Sequence, residues 1–307
     1  ADTYFKAKKL DSTRIVEDNS PCLRDHVVTD VNTWHSYVAG YGWDERVEEF
    51  CRKTQSGSKF NYIGGFVQTG VPMMNSECGN VWGYSGSTGD CDFSWDYHMM
   101  MNAFRRRLKC AGWLYTEHHD VINEWNGYVR FDRSPKYDGM DELAGMTLKD
   151  FHGEAGIVFF GKRGNEIGEF IAPGAKHTIP VGPSLITDKF NGKKLKLAMS
   201  AWWYDDKGAK VTMPETILKR EATAVGWKSE KLWDAVFDAP KTASCGCVVF
   251  RLLVDGKEIA RNFWSFSTVD TKATMVKPVE SNWSLGTAEV LDDFHCATAL
   301  RVSKSAL

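Results

Sequence analysis

The feature that most constrains this chain is a change of hydrophobic pattern near residue 150. Before about residue 134, helix-type and strand-type patterns alternate. The predicted strands are 13–18, 26–34, 71–77 and 111–120. A predicted helix over 1–11 precedes them, and helices over 43–54 and 93–109 lie between them. A series of β/α units predicts a parallel sheet, either open or closed into a barrel.

From about residue 150 to residue 270, only short alternating segments recur, and they are typical of strands. The last two of them, 246–254 and 257–266, are separated by Asp255-Gly256, which is a strong signal for a two-residue hairpin turn. Repeated short strands of this kind predict an immunoglobulin-like antiparallel β-sandwich over 137–272. The remaining residues, 273–307, carry strand-like patches but are too few for a core of their own, so they predict an incomplete C-terminal β segment.

Composition excludes several classes of function. A net charge of -2 gives no reason to expect nucleic acid or an anionic membrane as partner. No apolar stretch approaches the roughly 20 residues of a membrane-spanning helix. Eight dispersed cysteines form neither a small disulfide scaffold nor a zinc motif, and no cofactor or metal is expected. The 12 tryptophans are typical of chains that bind flat apolar ligands, sugars included.

Polar and aromatic side chains collect where the four predicted strands end. Active sites of parallel β/α folds lie at these carboxyl ends. The first and second ends offer Glu17, Asn32, Trp34 and His35, and the third and fourth offer Asn75, Glu77, Tyr115 and Glu117. His118 and His119 follow, but neighbours on a strand face opposite ways, so a shared metal ion is disfavoured.

Four of these segments carry a resemblance to a known family. The stretches are "DSTRIVEDNS", "HVVTDVNTWHSY", "PMMNSECG" and "GWLYTEHHDVINEWNGYVRFDRSPK", in that order and with suitable gaps. Together they resemble the second half of the catalytic barrel of glycoside hydrolase family 2, which includes β-galactosidases, β-glucuronidases and β-mannosidases. The resemblance covers residues 1–136 and implies strands five to eight of a (β/α)8 barrel. The sandwich that follows is similar to the family's domain order.

The resemblance implies roles for individual residues. The family's catalytic nucleophile corresponds to Glu77, although Cys78 stands where the family has an aromatic residue. The implied substrate-binding residues are Asn32, Trp34, His35, Asn75, Tyr115 and Asn126. A retaining glycosidase needs a second carboxyl group as acid/base, about 5–5.5 Å from the nucleophile.

The second carboxyl group leads to the expectation that this chain is a fragment. The family takes its acid/base from an Asn-Glu pair on an earlier strand, and Ala1 opens on a helical pattern without a starting cap. We therefore expect the rest of the barrel upstream, with Glu17 and Glu117 as weaker candidates for the acid. A half barrel has open strand edges, so a homo-oligomer is possible.

These inferences predict a retaining exo-β-glycosidase fragment that acts on a carbohydrate, with a terminal β-galactoside as the favoured substrate. The alternative is a non-catalytic carbohydrate-binding protein that uses tryptophans of the β domains. Its candidates are Trp202, Trp203, Trp264 and Trp283. An unrelated hydrolase that uses a metal ion is the third possibility.

Overall fold

A computed structural model gives the fold in two compact units. The first unit comprises Ala1–Asp92 and Asp96–Tyr137, and the second comprises Phe93–Trp95 and Asp138–Leu307. The structure describes residues 1–19, 25–38, 40, 42–79, 93–122, 126–136, 140, 145–162, 166–268, 288–293 and 298–302. The chain is thus a mixed α/β protein, with a small parallel sheet and helices in one unit and antiparallel and mixed sheets in the other.

The first unit is built on a three-stranded parallel sheet. Its elements are α1 (Asp2–Leu10), β1 (Asn32–Tyr37), α2 (Gly42–Lys53), β2 (Met73–Gly79), α3 (His98–Arg106) and β3 (Cys110–Tyr115). A π-helical turn, Phe93–Tyr97, leads directly into α3. The sheet order is β1-β2-β3, so β2 is hydrogen-bonded on both sides.

Helices α2 and α3 pack their apolar stripes against this unit's core. In α2, Trp43, Val47 and Phe50 are buried, at the i, i+4 and i+7 positions that share one face of a helix. Trp34 of β1 stacks on Phe50 with ring centroids 4.0 Å apart. Trp113 of β3 stacks in the same way on Phe104 of α3, at 5.4 Å. One face of the sheet is therefore the helix-covered, apolar face.

The strands differ from the sequence-based expectation at the start of this unit. Residues 13–18 form no strand, and the second predicted strand, 26–34, is displaced to Asn32–Tyr37. The reason is that the Asp18 side chain binds the backbone amides of this region. Its Oδ2 accepts hydrogen bonds from the N–H groups of Val27 and Val28 at 2.6 and 3.0 Å. These amides therefore have a partner without pairing to a neighbouring strand. Three parallel strands, not four, are formed by the described residues, which close no barrel.

Between residues 145 and 268, the second unit forms two packed sheets. After a 3-10 turn, Leu148–Phe151, the strands are β4 (Ala155–Phe159), β5 (Gly168–Ile171), β6 (Lys176–Leu185), β7 (Lys194–Tyr204), β8 (Lys210–Ile217), β9 (Ala222–Thr223), β10 (Lys228–Ser229), β11 (Trp233–Asp238), β12 (Ser244–Val254) and β13 (Lys257–Thr268). One sheet has β6 at its centre, paired with β4, β10 and β11. The other has the order β5-β13-β12-β7-β8, with β9 also on β7, and β5 runs parallel to β13. The second sheet is therefore mixed rather than purely antiparallel.

The Asp255-Gly256 hairpin is confirmed, whereas four strands of this unit, β6, β8, β9 and β10, lie outside the sequence prediction, and β9 and β10 have only two residues each. Both turn residues have positive φ, 52° and 75°, and Val254 pairs with Lys257. Strands β6 and β8 are missed because they contain proline, which cannot donate to a ladder and argues against a strand. Pro214 is accommodated because β8 is an edge strand.

The C-terminal segment forms a short antiparallel pair. Its strands are β14 (Ala288–Asp293) and β15 (Thr298–Val302). Within the described ranges, no helix combines the length and the apolar character that crossing a bilayer requires.

Helix α1 has no buried residue, and hydrogen bonds from two of its side chains hold it to the unit. Its Tyr4 hydroxyl donates to Asp30 at 2.6 Å, and its Lys8 Nζ donates to the same carboxylate at 3.0 Å. Asp30 also accepts from the Val16 backbone at 2.8 Å. The hydrogen bonds from Tyr4, Lys8 and Val16 lower the pKa of Asp30 from 3.8 to about 2.

We predict that Asp30→Asn releases α1 from the unit. The Asn side chain keeps the shape but loses the charge that holds Tyr4 and Lys8. Backbone hydrogen exchange over residues 2–10 is expected to rise severalfold at neutral pH, with the rest of the sheet unchanged. In the parent chain the same contribution is present above about pH 4 and is lost as the pH falls towards 2, because the folded pKa is the lower one.

Asp11→Asn is the matched control, because the Asp11 side chain accepts hydrogen bonds from Thr13 and Arg14, which follow α1, and the substitution leaves the backbone of α1 as it is. Equal exchange in α1 for the two variants would contradict the assigned role of Asp30.

Candidate active site

The carboxyl end of β2 carries an acidic side chain with two side-chain partners. Glu77 Oε1 accepts a hydrogen bond from the Tyr37 hydroxyl at 2.5 Å. Its other oxygen, Oε2, lies 3.4 Å from Nδ1 of His35. The Glu77 side chain is 36% exposed, so a carboxylate held on both oxygens still faces solvent.

A bulge in β2 produces this arrangement. Trp34 pairs with Asn75, but the next residue of β1, His35, pairs with Glu77, so Ser76 is an extra residue of β2. A bulge re-aims the side chains that follow it. The shift places Glu77 beside His35, and Tyr37, two residues further along β1, reaches the same carboxylate.

Gly79 closes the end of β2 and allows a close approach. A Cβ on this residue would lie 3.0 Å from the Tyr37 ring and 3.1 Å from Nδ2 of Asn126. Glycine thus leaves room for the tyrosine ring that contacts Glu77 and for the Asn126 amide. Of the residues predicted for the site, His35, Glu77 and Asn126 come together around this end of β2.

Asn32 lies at the other end of β1, at its first residue, and is fully buried. Its amide donates to Oε1 of Gln68 at 2.6 Å, and its carbonyl oxygen accepts from Asn61 at 2.7 Å. Both ends of the Asn32 side chain are therefore engaged in a core network. The displacement of β1 along the chain explains why Asn32 begins the strand instead of ending it.

Trp34 and Asn75 pair with each other across β1 and β2 and lie in the interior. Trp34 is 1% exposed and its ring is covered by Phe50, as described above. Asn75 is fully buried and donates from Nδ2 to the Trp34 carbonyl at 3.0 Å. These two residues stabilise the strand pair next to the bulge and do not reach the exposed carboxylate.

Tyr115 ends β3 within a cluster of tyrosines. Its ring packs edge-on against Tyr97, at 5.1 Å, and lies 4.7 Å from the ring of Tyr128. Its hydroxyl donates to the Asn126 carbonyl at 2.6 Å. Tyr115 thereby fixes the segment that carries Asn126 and acts on the site through that residue.

Cys78 occupies the position where an aromatic residue was expected. It is fully buried, and its thiol donates to the Leu114 carbonyl at 3.3 Å. Burial, reinforced by the nearby Cys110 and Glu77, raises the pKa of the Cys78 thiol well above its ordinary value. The thiol therefore stays protonated and serves packing between β2 and β3.

Tyr37 is the site residue that sequence reasoning missed. The strand was expected to end at Trp34, which leaves Tyr37 in a loop. The available signal is the spacing in "WHSY": His35 and Tyr37 are two residues apart, and a strand puts such residues on one face.

The candidate sugar-binding tryptophans that the structure describes, Trp202, Trp203 and Trp264, are each in contact with another side chain. Trp264 is 1% exposed, and the His177 ring stacks on it at 4.7 Å. Trp202 lies under Nζ of Lys210, 4.1 Å from the ring centre. Trp203 packs towards Phe237, at 6.5 Å, and Trp283 lies outside the described residues.

Across the ranges that the structure covers, no three His, Cys, Asp or Glu side chains are grouped to hold a metal ion.

Comparison with known proteins gives a distant structural similarity to β-glucuronidases. No protein-family model and no curated protein matches the sequence. Among solved structures, a Parabacteroides merdae β-glucuronidase matches over 100% of this chain with a TM-score of 0.36 and 11% identity. A Bacteroides uniformis β-glucuronidase matches over 79% of this chain, with a TM-score of 0.25 and 12% identity. The chain spans 37% of the first enzyme and 26% of the second.

We predict losses of stability of very different size for the two aromatic residues of β1. Trp34→Ala is expected to lower the free energy of unfolding by about 3–5 kcal/mol, because it removes a large buried ring. Tyr37→Phe is expected to cost about 1 kcal/mol or less, since it removes one partly exposed hydrogen bond. Urea unfolding followed by tryptophan fluorescence and circular dichroism measures both. Similar losses for the two variants would contradict the division of β1 into a core face and a site face.

Proposed function

We propose that this chain carries the nucleophile half of a retaining β-glycosidase, with Glu77 as the nucleophile. The observation that carries the proposal is the pair of contacts on the Glu77 carboxylate, Tyr37 on one oxygen and His35 on the other. A nucleophilic carboxylate must be ionised and reachable. Glu77 accepts a hydrogen bond from Tyr37 and is 36% exposed, so a substrate can reach it.

In the proposed reaction, a Glu77 oxygen attacks the anomeric carbon of a terminal β-glycoside. The bond from that carbon to the leaving-group oxygen breaks, and the leaving group takes a proton from an acid. Water then attacks the anomeric carbon of the glycosyl-enzyme ester, the acid, now a base, takes a proton of that water, and the bond from the carbon to Glu77 breaks, which frees the sugar and the carboxylate. Tyr37 orients the carboxylate and gives up part of its hydrogen bond as the ester forms. His35 holds the second oxygen.

We propose that the acid/base comes from a part of the glycosidase outside these 307 residues. The sequence resemblance to family 2 supports this, since its Asn-Glu pair lies upstream of the segments matched here. On the same basis, residues 1–136 are proposed as the second half of a (β/α)8 barrel, and 137–272 as an immunoglobulin-like sandwich. Asn126 and His35 are proposed as substrate-side groups, and a terminal β-galactoside as the substrate.

We predict that Glu77 forms a covalent adduct with a 2-deoxy-2-fluoro-β-galactosyl fluoride. Such probes have a good leaving group, so labelling requires the nucleophile but little help from an acid. Mass spectrometry of the peptide that contains Glu77 is expected to show one added fluoroglycosyl group. Glu77→Gln is expected to abolish labelling, and Tyr37→Phe to slow it about tenfold or more. Adducts on another carboxylate, or no adduct in the parent chain, would overturn the proposal.

We further predict that the 307-residue chain alone hydrolyses unactivated alkyl β-galactosides at background rate. Hydrolysis of such substrates needs a proton donor for the poor leaving group. External azide or formate is expected to accelerate turnover of activated 2,4-dinitrophenyl glycosides, and to leave alkyl glycosides unhydrolysed. Robust hydrolysis of alkyl glycosides that Glu77→Gln abolishes would show that the chain contains its own acid.

A further inference from the structure

Three residues of β1 form a polar row on the face opposite the helices. They are Thr33, His35 and Tyr37, and alternation along a strand puts them on one side, while Trp34 points to Phe50 on the other. His35 and Tyr37 both contact Glu77. Thr33 is the third member, about 7 Å from His35 along the strand.

Thr33 brings a second carboxylate to this face. Its hydroxyl donates a short hydrogen bond to Oε1 of Glu17. Glu17 is an exposed residue of the segment that precedes β1. Glu17 is thus bound at Thr33, and Glu77 contacts His35 two residues further along β1, so both carboxylates face the same side of the sheet.

The segment that carries Glu17 is tied to β1 a second time through its next residue. Asp18 Oδ1 accepts from Nδ1 of His26 at 2.7 Å, and both groups are almost fully buried. Nε2 of His26 in turn accepts from the Thr33 backbone N–H at 2.9 Å. Two independent connections to Thr33 therefore position Glu17 before any ligand arrives, which reduces the cost of ordering it on binding.

We propose that Glu17 is a specificity-determining residue of the Glu77 site, which selects uncharged glycosides and disfavours uronates. This inference rests on the proposed glycosidase function. The Glu17 carboxylate is exposed and already accepts a hydrogen bond from the Thr33 hydroxyl, so it is suited to accept further hydrogen bonds from sugar hydroxyls.

The charges of the site support this selectivity. A sugar held at Glu77 lies next to the polar row, whose members Thr33, His35 and Tyr37 include no lysine or arginine. A uronate would add its own carboxylate to a face that already holds Glu17 and Glu77, and like charges repel. A neutral sugar presents hydroxyl donors to both carboxylates instead.

The test compares two probes that differ only at carbon 6 of the sugar. The 2-deoxy-2-fluoro-β-galactosyl and β-galacturonyl fluorides carry a hydroxymethyl group and a carboxylate there, respectively. The ratio of their second-order labelling rate constants at Glu77 is measured for the 307-residue chain. We expect the parent chain to favour the galactosyl probe, and Glu17→Gln to lower this ratio about tenfold. A merely structural role of Glu17 would slow both probes equally and leave the ratio unchanged.

Glu49→Gln is the matched control, since Glu49 is a carboxylate of α2 that pairs with Lys53. It removes the same charge from the same unit and is expected to leave the ratio unaltered. A ratio that Glu17→Gln does not change, or a parent chain that prefers the galacturonyl probe, would overturn the role of Glu17 alone. Absence of labelling with both probes would overturn the proposed glycosidase as well.

Discussion

The parallel pairing of β2 with both of its neighbours is the interaction on which the candidate site depends. β2 runs between β1 and β3, and its hydrogen bonds fix which residues of the three strands lie side by side. The one-residue bulge at Ser76 then changes the alignment just before the strand ends. Without that extra residue, Glu77 would not face His35. The position of the carboxylate is thus a property of backbone pairing rather than of side-chain packing.

The two faces of the sheet differ in character: one is apolar and covered by helices, and the other carries the polar row. Trp34 and Trp113 stack on phenylalanines of α2 and α3, and this apolar burial stabilises the unit. The residues of the polar row, Thr33, His35 and Tyr37, lie on the opposite face and take no part in this stacking on the helices. A strand buried on one side can in this way carry polar groups on the other without loss of core area.

Sequence patterns predict this fold well where local chemistry decides the conformation. The Asp255-Gly256 turn is an example, because positive φ at both residues is a local requirement. Strand boundaries are harder to predict, since Asp18 accepts hydrogen bonds from the amides of Val27 and Val28, nine and ten residues further along the chain. The hydrophobic alternation of residues 26–34 contains no signal of these hydrogen bonds. The resulting shift of β1 accounts for both the inward position of Asn32 and the unexpected contact of Tyr37 with Glu77.

The glycine that ends β2 also bears on how this site can change. A Cβ on Gly79 would lie 3.0 Å from the ring of Tyr37 and 3.1 Å from the amide of Asn126, so these side chains would have to move by a few tenths of an ångström. A residue larger than alanine would displace them further. Substitutions at positions 37, 79 and 126 are therefore expected to be coupled, so that their effects on stability do not add.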